Sequence, residues 1–168
     1  MLNEDALNTP EVAGKHIHVG ALRTGPIRVE GNPAKPLGQI RRAIWRMPEG
    51  QARREMERIS ANVRDGRRVL LALDAQGHVV GAASHDNHGR KLWIVNLAAT
   101  GEVAGAGTAL LRAAARLALK QEGDLELAAL AAARSFFLAL GGEEVVETTG
   151  GRSIRWRGEA LRRLAEGG

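Results

Sequence analysis

Between positions 102 and 107 the sequence reads Glu102-Val103-Ala104-Gly105-Ala106-Gly107. A β-like run precedes it and a run rich in alanine and leucine follows from Thr108. The first amides of a helix have no partner within the helix, and the aligned peptide dipoles add partial positive charge at that end. Glycine at 105 and 107 removes the Cβ atoms that would hold an anion off the backbone. Strand, glycine loop and helix in this order offer a place where a pyrophosphate docks on N–H groups. Taken alone the pattern is unspecific, because many strand-to-helix turns need glycine for geometry only.

A second group able to do chemistry is Ser84-His85-Asp86-Asn87-His88-Gly89. Histidine titrates near neutral pH and an adjacent carboxylate can orient its ring, so His85, Asp86 or His88 could serve as a general base. The same run of Asp, Asn and Gly is ordinary hairpin-turn composition, and both readings stay open. His16 and His18 could share one side of an extended segment, but no acidic or thiol ligand accompanies them, so an exposed pair is expected and no metal site.

The elements that must position these groups follow from hydrophobic periodicity. Residues 37–47 and 49–63 predict two helices separated by Pro48, with Ile40, Ile44 and Trp45, then Met56, Ile59 and Val63, at helical spacing. Arg41, Arg42, Arg46, Arg53, Arg54 and Arg58 fall mainly on their outer faces. Two extended candidates precede them, at residues 16–22 and 26–30. Residues 68–74, a turn at Gln76-Gly77, residues 78–85, a second turn at residues 87–89 and residues 91–99 predict three antiparallel strands in succession. From residue 105 to 121 the period changes, with Leu110, Ala113, Ala114 and Leu117 on one helical face. A short strand (residues 125–129), a helix (131–140) stopped by Gly141-Gly142, a hairpin (143–149 and 153–157) and a last short helix (159–165) complete the chain. Trp45 and Trp93 could line an acceptor pocket, but packing in the core is expected for both and for Trp156. The order implies a mixed α/β (α+β) domain, a mainly antiparallel sheet flanked by helices. Residues 1–36 read as an N-terminal extension with the first strand region, and residues 37–168 as the domain proper.

Composition narrows the class. The 168 residues contain no cysteine, which excludes disulfides, thiolate metal sites and a cysteine nucleophile, and suggests a reducing, cytoplasmic setting. No secretory leader and no membrane span are expected. The net charge of +5, mostly from arginine, suits an anionic partner, yet the chain has no tyrosine and only two phenylalanines, few platforms for stacking nucleic-acid bases.

With these elements in place, the segment from Glu102 to Leu111 resembles the acetyl-CoA loop of the GNAT acetyltransferases, Q/R-x-x-G-x-G/A followed by a helix, which Gly105, Gly107 and Leu110 fit. The segment from Ala133 to Gly142 is similar to the family's second signature, roughly A-x-x-F-Y-x-x-x-G-F, with Phe136 and Gly141 matching. The resemblance covers a little over half the chain and implies a GNAT-type sheet with splayed strands and the helix after the glycine loop. It implies that backbone groups of Asn96, Leu97, Ala98 and Ala99 pair with the pantetheine arm. The amides of Val103, Ala104, Gly105, Ala106, Gly107 and Thr108 would hold the pyrophosphate, and an amide near Leu97 would polarise the thioester carbonyl.

Three positions depart from the pattern. Glu102 stands where Gln or Arg is usual, and a carboxylate there repels a pyrophosphate unless it points away or is engaged. Val103 replaces a common glycine. Phe137 stands where the family often has the tyrosine that protonates the departing thiolate, which leaves water or Ser135 as the proton source. The resemblance thus implies an N-acetyltransferase that moves an acetyl group from acetyl-CoA to a primary amine within a ternary complex. Among a small amine, a protein amine and an aminoacyl-tRNA as acceptor, the basic helices favour a macromolecular or anionic one, and the enzyme is a possible homodimer. The alternative is a catalytically weak GNAT-like module that binds acyl-CoA or nucleic acid.

Overall fold

The structure, a computed structural model, describes residues 22–128 and 133–167. The expected strand at residues 16–22, the histidines His16 and His18, and residues 129 and 131–132 of the expected fifth strand and following helix lie outside them, Leu22 excepted. Among the described residues, seven strands form one sheet: β1 (Arg28–Gly31), β2 (Arg68–Leu73), β3 (Val79–His88), β4 (Lys91–Ala99), β5 (Leu125–Leu127), β6 (Glu143–Val146) and β7 (Arg152–Trp156). Their order is β1-β2-β3-β4-β5-β7-β6, and every neighbouring pair is antiparallel except β4 with β5. A mixed, mainly antiparallel sheet with helices on both faces is the architecture that the sequence implies.

Helices α1 (Pro36–Arg46) and α2 (Gln51–Arg64) cover one face, and α3 (Ala106–Lys120) with α5 (Gly158–Glu166) covers the other; the short α4 (Arg134–Ala139) lies against β7. The alternation of β2 shows why the five residues after Arg68 read as a continuous apolar run. Val69, Leu71 and Leu73 pack under Ile40, Met56 and Ile59 of α1 and α2, while Leu70 and Ala72 face Leu110 and Ala114 of α3. A strand buried on both faces has no polar side to show. Only an α3 rich in alanine can lie close along the other face, and Ala106, Ala114, Ala115 and Ala118 are all fully buried there. At Gly81 a Cβ would sit 3.1 Å from Leu110 Cδ1, so the helix rests almost on the strand backbone.

Three expectations need correction. The turn between β3 and β4 is Gly89-Arg90, not residues 87–89: pairing continues through Asn87↔Leu92 and His88↔Lys91, and Gly89 takes φ 65°. Asn and Asp fit turns locally, but ladder hydrogen bonds and the His88–Trp93 stack, 5.9 Å between ring centroids, keep this stretch extended. Trp45 is not core but 82% exposed. Ile40 and Ala43 take the inner stripe of α1, continued by Met47 just past its end, so Trp45 falls on the outer stripe with Arg41 and Arg42. Trp93 is half-buried between His88 and the Lys91 ammonium, whereas Trp156 is fully buried as expected.

The crossover from β4 through α3 to β5 closes tightly at Gly123, where a Cβ would lie 1.8 Å from the Arg90 carbonyl oxygen. Because backbone cannot yield as a side chain can, Gly123→Ala should cost about 1–3 kcal/mol, read in denaturant unfolding as a lower midpoint at unchanged slope.

Candidate functional site

Strand β4 is paired on both edges only at its start. On the β5 side the register is Leu92↔Leu125, Trp93↔Glu126 and Ile94↔Leu127, and no described strand accompanies β4 beyond Ile94 on that side. On the β3 side the register skips: His85 faces Ile94 and Ser84 faces Asn96, so Val95 is an extra residue in β4. Thr100 N–H donates to Val80 O (2.9 Å) across that edge. With a two-residue alternation, Ala98 and Asn96 also turn their amides toward β3, which leaves those of Leu97 and Ala99 pointing to the open side. Leu92 N–H, before the bulge, donates toward β5 instead, to Asp124 O (2.8 Å). The bulge thus exchanges which residues face the gap, a usual service of bulges beside functional sites.

A cavity of about 130 Å³ fills the gap. Its walls are the β4 segment from Ile94 to Ala99, Leu127 and Ala128, Phe137 from α4, and Gln51, Ala52 and Glu55 from the first turns of α2. Phe137 is held edge-on to Trp156, with 6.1 Å between centroids. Just below the split, Glu126 is buried beneath Lys91 (3.5 Å) and Arg155 (3.0 Å), with Ser153 Oγ donating to it at 2.9 Å. Burial alone would raise its pKa, but the hydrogen bonds from Arg155 and Ser153 and the nearby positive charges hold it below the ordinary value.

The glycine loop follows directly. Gly105 caps α3 in the left-handed conformation at φ 88°, which a side chain would strain. Among the described residues, the amides of Gly105, Ala106 and Gly107 have no backbone acceptor in hydrogen-bonding geometry. The Ala104 amide is engaged, donating to Arg23 O at 2.9 Å, while Arg23 N–H donates to Glu102 O at 3.0 Å. The segment around Arg23 therefore braces the outside of the loop, and the free amides narrow to its inner half. Glu102 is engaged as well. Arg46 Nη2 donates to its Oε1 at 3.0 Å and, on the other side, to Val79 O at 2.6 Å. The carboxylate that would repel an anion is thereby tied to the end of α1.

Of the residues predicted from sequence to act together, Asn96, Leu97, Ala98, Ala99 and Phe137 meet at the cavity, and the loop residues lie just beyond the end of β4. Ser135 is exposed on α4 and does not line the cavity. His85 and Asp86 are placed elsewhere: they line an open depression with Asp65, Gly66, Arg67, Arg68 and Asn87. The His85 ring is buried, and neither nitrogen has a hydrogen-bond partner among the described residues. Burial first, then the charge of Arg68, push its pKa down against the pull of Asp86. Asp86 is paired with Arg67 Nε at 2.9 Å.

Sequence reading missed Glu55. It is 8% exposed, its Oε2 accepts from Asn96 Nδ2 at 2.7 Å, and Arg58 pairs with its Oε1. A signal was present: Ala52, Glu55, Met56, Ile59, Asn62 and Val63 follow one helical stripe, so a carboxylate and an amide interrupt an apolar face. Among the described residues no group of three or more His, Asp or Glu side chains could hold a metal ion, and no helix is long and apolar enough to cross a membrane.

No family model matches the chain, and no curated protein does. Solved structures do. The GNAT-family N-acetyltransferase YhbS of Escherichia coli, in complex with CoA, aligns with 20% identity over 87% of this chain and 88% of that one, at TM-score 0.56. The PaiA N-acetyltransferase of Thermoplasma acidophilum, in complex with coenzyme A, shares 14% identity over 79% and 99%, at TM-score 0.57. A mutant AtaT toxin bound to the C-terminus of the antitoxin AtaR shares 15% over 83% and 96%, at TM-score 0.59. At such identities the likeness is one of architecture: this chain has the GNAT acetyltransferase fold.

The buried Glu126 yields a pH test. A depressed folded-state pKa gives stability that is complete above the unfolded value, about 4.3, and is lost as pH falls through the folded value. Denaturant titrations from about pH 6 down to about pH 3 should show this acid-side loss in the native chain and a shallower one in Glu126→Gln.

Proposed function

We propose that the chain transfers an acetyl group from acetyl-CoA to a primary amine, by direct attack of the amine within a ternary complex. The observation that carries this reading is the unpaired edge of β4, with the outward amides of Leu97 and Ala99 facing a cavity and the free amides of the α3 N-terminus beyond the strand's end. An extended arm with amide groups of its own suits such an edge, because it completes the ladder as an added strand. A pyrophosphate suits the loop, where Gly105 to Gly107 present N–H groups and the helix dipole adds positive charge. The Leu97 amide is the donor for the oxyanion formed when nitrogen attacks the thioester carbon, and Phe137 forms an apolar wall of the cavity. Holding both reactants in one gap supplies much of the remaining acceleration. The solved structures of this fold with CoA or acetyl-CoA bound support the choice of donor.

Phe137 offers no O–H to the leaving sulfur, and this favours one second reading, a module that binds acyl-CoA with little turnover. A thiolate is a tolerable leaving group near neutral pH. The absence of an acid at this place therefore removes only part of a factor of roughly 10²–10⁴. The acceptor class, whether protein, aminoacyl-tRNA or small amine, belongs to the proposal and not to the fold. So does assembly into a homodimer.

Calorimetry with CoA and acetyl-CoA should give saturable one-to-one binding, and acetyl-CoA with a mixed amine panel should release free thiol. Binding without amine-dependent thiol would favour the second reading, and no heat at millimolar ligand would sink both. Arg46→Met should weaken CoA binding about fivefold, because it frees the Glu102 carboxylate beside the loop, in keeping with about 1 kcal/mol for a partly exposed pair. Adding Glu102→Gln to that variant should restore most of the affinity.

A further inference from the structure

Five side chains join the cavity to the surface depression that holds Asp86. Arg67 Nε donates to Asp86 Oδ2 (2.9 Å), and its Nη1 donates to Asn62 Oδ1 (3.0 Å). Asn62 Nδ2 donates to Ser84 Oγ (2.9 Å) and to Asn96 Oδ1 (2.7 Å), and Asn96 Nδ2 donates to Glu55 Oε2 (2.7 Å). The direction of this chain is forced. A guanidinium can only donate, so Asn62 must turn its oxygen to Arg67 and its NH₂ toward Asn96. Asn96 must then accept with its oxygen and donate with its own NH₂, and the residue at the end has to be an acceptor. That residue is Glu55, the one titratable side chain among the described residues lining the cavity.

A carboxylate set into a cavity wall whose other side chains are mostly apolar must be paired. One oxygen of Glu55 is committed to Asn96. The other is covered by Arg58, three residues on along α2, whose own side chain is 59% exposed. A mostly exposed partner is held weakly and can swing into water when another cation arrives.

We propose that Glu55 is the acceptor carboxylate of this site: it binds the incoming primary ammonium and takes a proton from it, with Arg58 as the cation that the ammonium displaces. Asn96, Asn62 and Arg67 are positioning residues, and Asp86 anchors the far end of their chain. The assignment rests on the transferase reading above. In the reaction, one ammonium proton passes to Glu55 and on to solvent, and the freed nitrogen lone pair forms the C–N bond. The C–S bond then breaks, sulfur keeps its electron pair, and a second proton lost from nitrogen ends on the thiolate. The products are the amide, CoA thiol and one proton. Because the site supplies negative charge at the acceptor end, it selects alkylammonium groups.

The test compares the best alkylamine of a mixed panel with weakly basic arylamines such as aniline, which reach the site already neutral. Glu55→Gln keeps the shape and the Asn96 contact. It should lower kcat/KM for the alkylamine on the order of 10²-fold and for the arylamine far less. Arg58→Ala should lower the alkylamine KM severalfold at unchanged kcat, since the competing cation is gone. Asn62→Leu should reduce alkylamine turnover in the same selective sense, with acetyl-CoA affinity by calorimetry unchanged. Equal losses on both amine types, no loss in Glu55→Gln, or a raised KM in Arg58→Ala would overturn the assignment of Glu55 while acetyl-CoA binding still stands. No acetyl-CoA binding, or no thiol release from any amine by the native chain, would overturn the transferase reading and this proposal with it.

Discussion

One extra residue in β4 governs the geometry of the site. Without Val95 as a bulge, the amides that face β5 at Leu92 and Ile94 would continue in phase, and Leu97 would spend its N–H on β3. With it, the strand changes phase at the point where its pairing with β5 stops. An unpaired strand edge inside a fold is costly unless something satisfies it, because backbone groups removed from water need partners. The surrounding structure accepts that cost over only a few residues, and Phe137 and α2 wall the gap in.

The polar residues around the gap are arranged so that charge is neither loose nor wasted. Arg46 draws the Glu102 carboxylate to the end of α1, and Glu126 sits under three donors at the base of the split. Both pairs join segments far apart in sequence. Helix α1, whose only buried positions are Ile40 and Ala43, thereby also holds the loop at the start of α3. Arginine suits this part, since one planar guanidinium reaches a carboxylate and a backbone carbonyl together.

How far the sequence foretold this depends on whether a feature is local. The stripe Met56-Ile59, the run of β2 and the glycines at 105 and 107 state their structure within a few residues, and helices, strands and the loop follow from them. Contacts across long separations leave no such mark. Glu102 looks repulsive beside a phosphate until Arg46, 56 residues away in sequence, is seen to hold it. Trp45 reads as core because helical spacing alone does not say which stripe a neighbouring sheet will cover. His85 and Asp86 look paired in the chain, yet Asp86 is taken by Arg67, 19 residues away, and the His85 nitrogens have no hydrogen-bond partner among the described residues. Glu55 was legible in principle, as a charge on an apolar stripe, but arginines at Arg53, Arg54 and Arg58 make the helix read as solvated.

The parallel contact between β4 and β5 has a consequence for folding. Strands β2 to β4 and the β6–β7 hairpin are stitched by neighbours in sequence, whereas β1 meets β2 only after α1 and α2, and β4 meets β5 only after the chain has travelled the length of α3. Pairings of high sequence separation bear the larger loop-closure entropy and form against it. The groove exists only once that crossover has closed. Any small molecule resident in it therefore adds its binding free energy to the cohesion of the two halves of the sheet, and resistance to thermal unfolding should track its concentration.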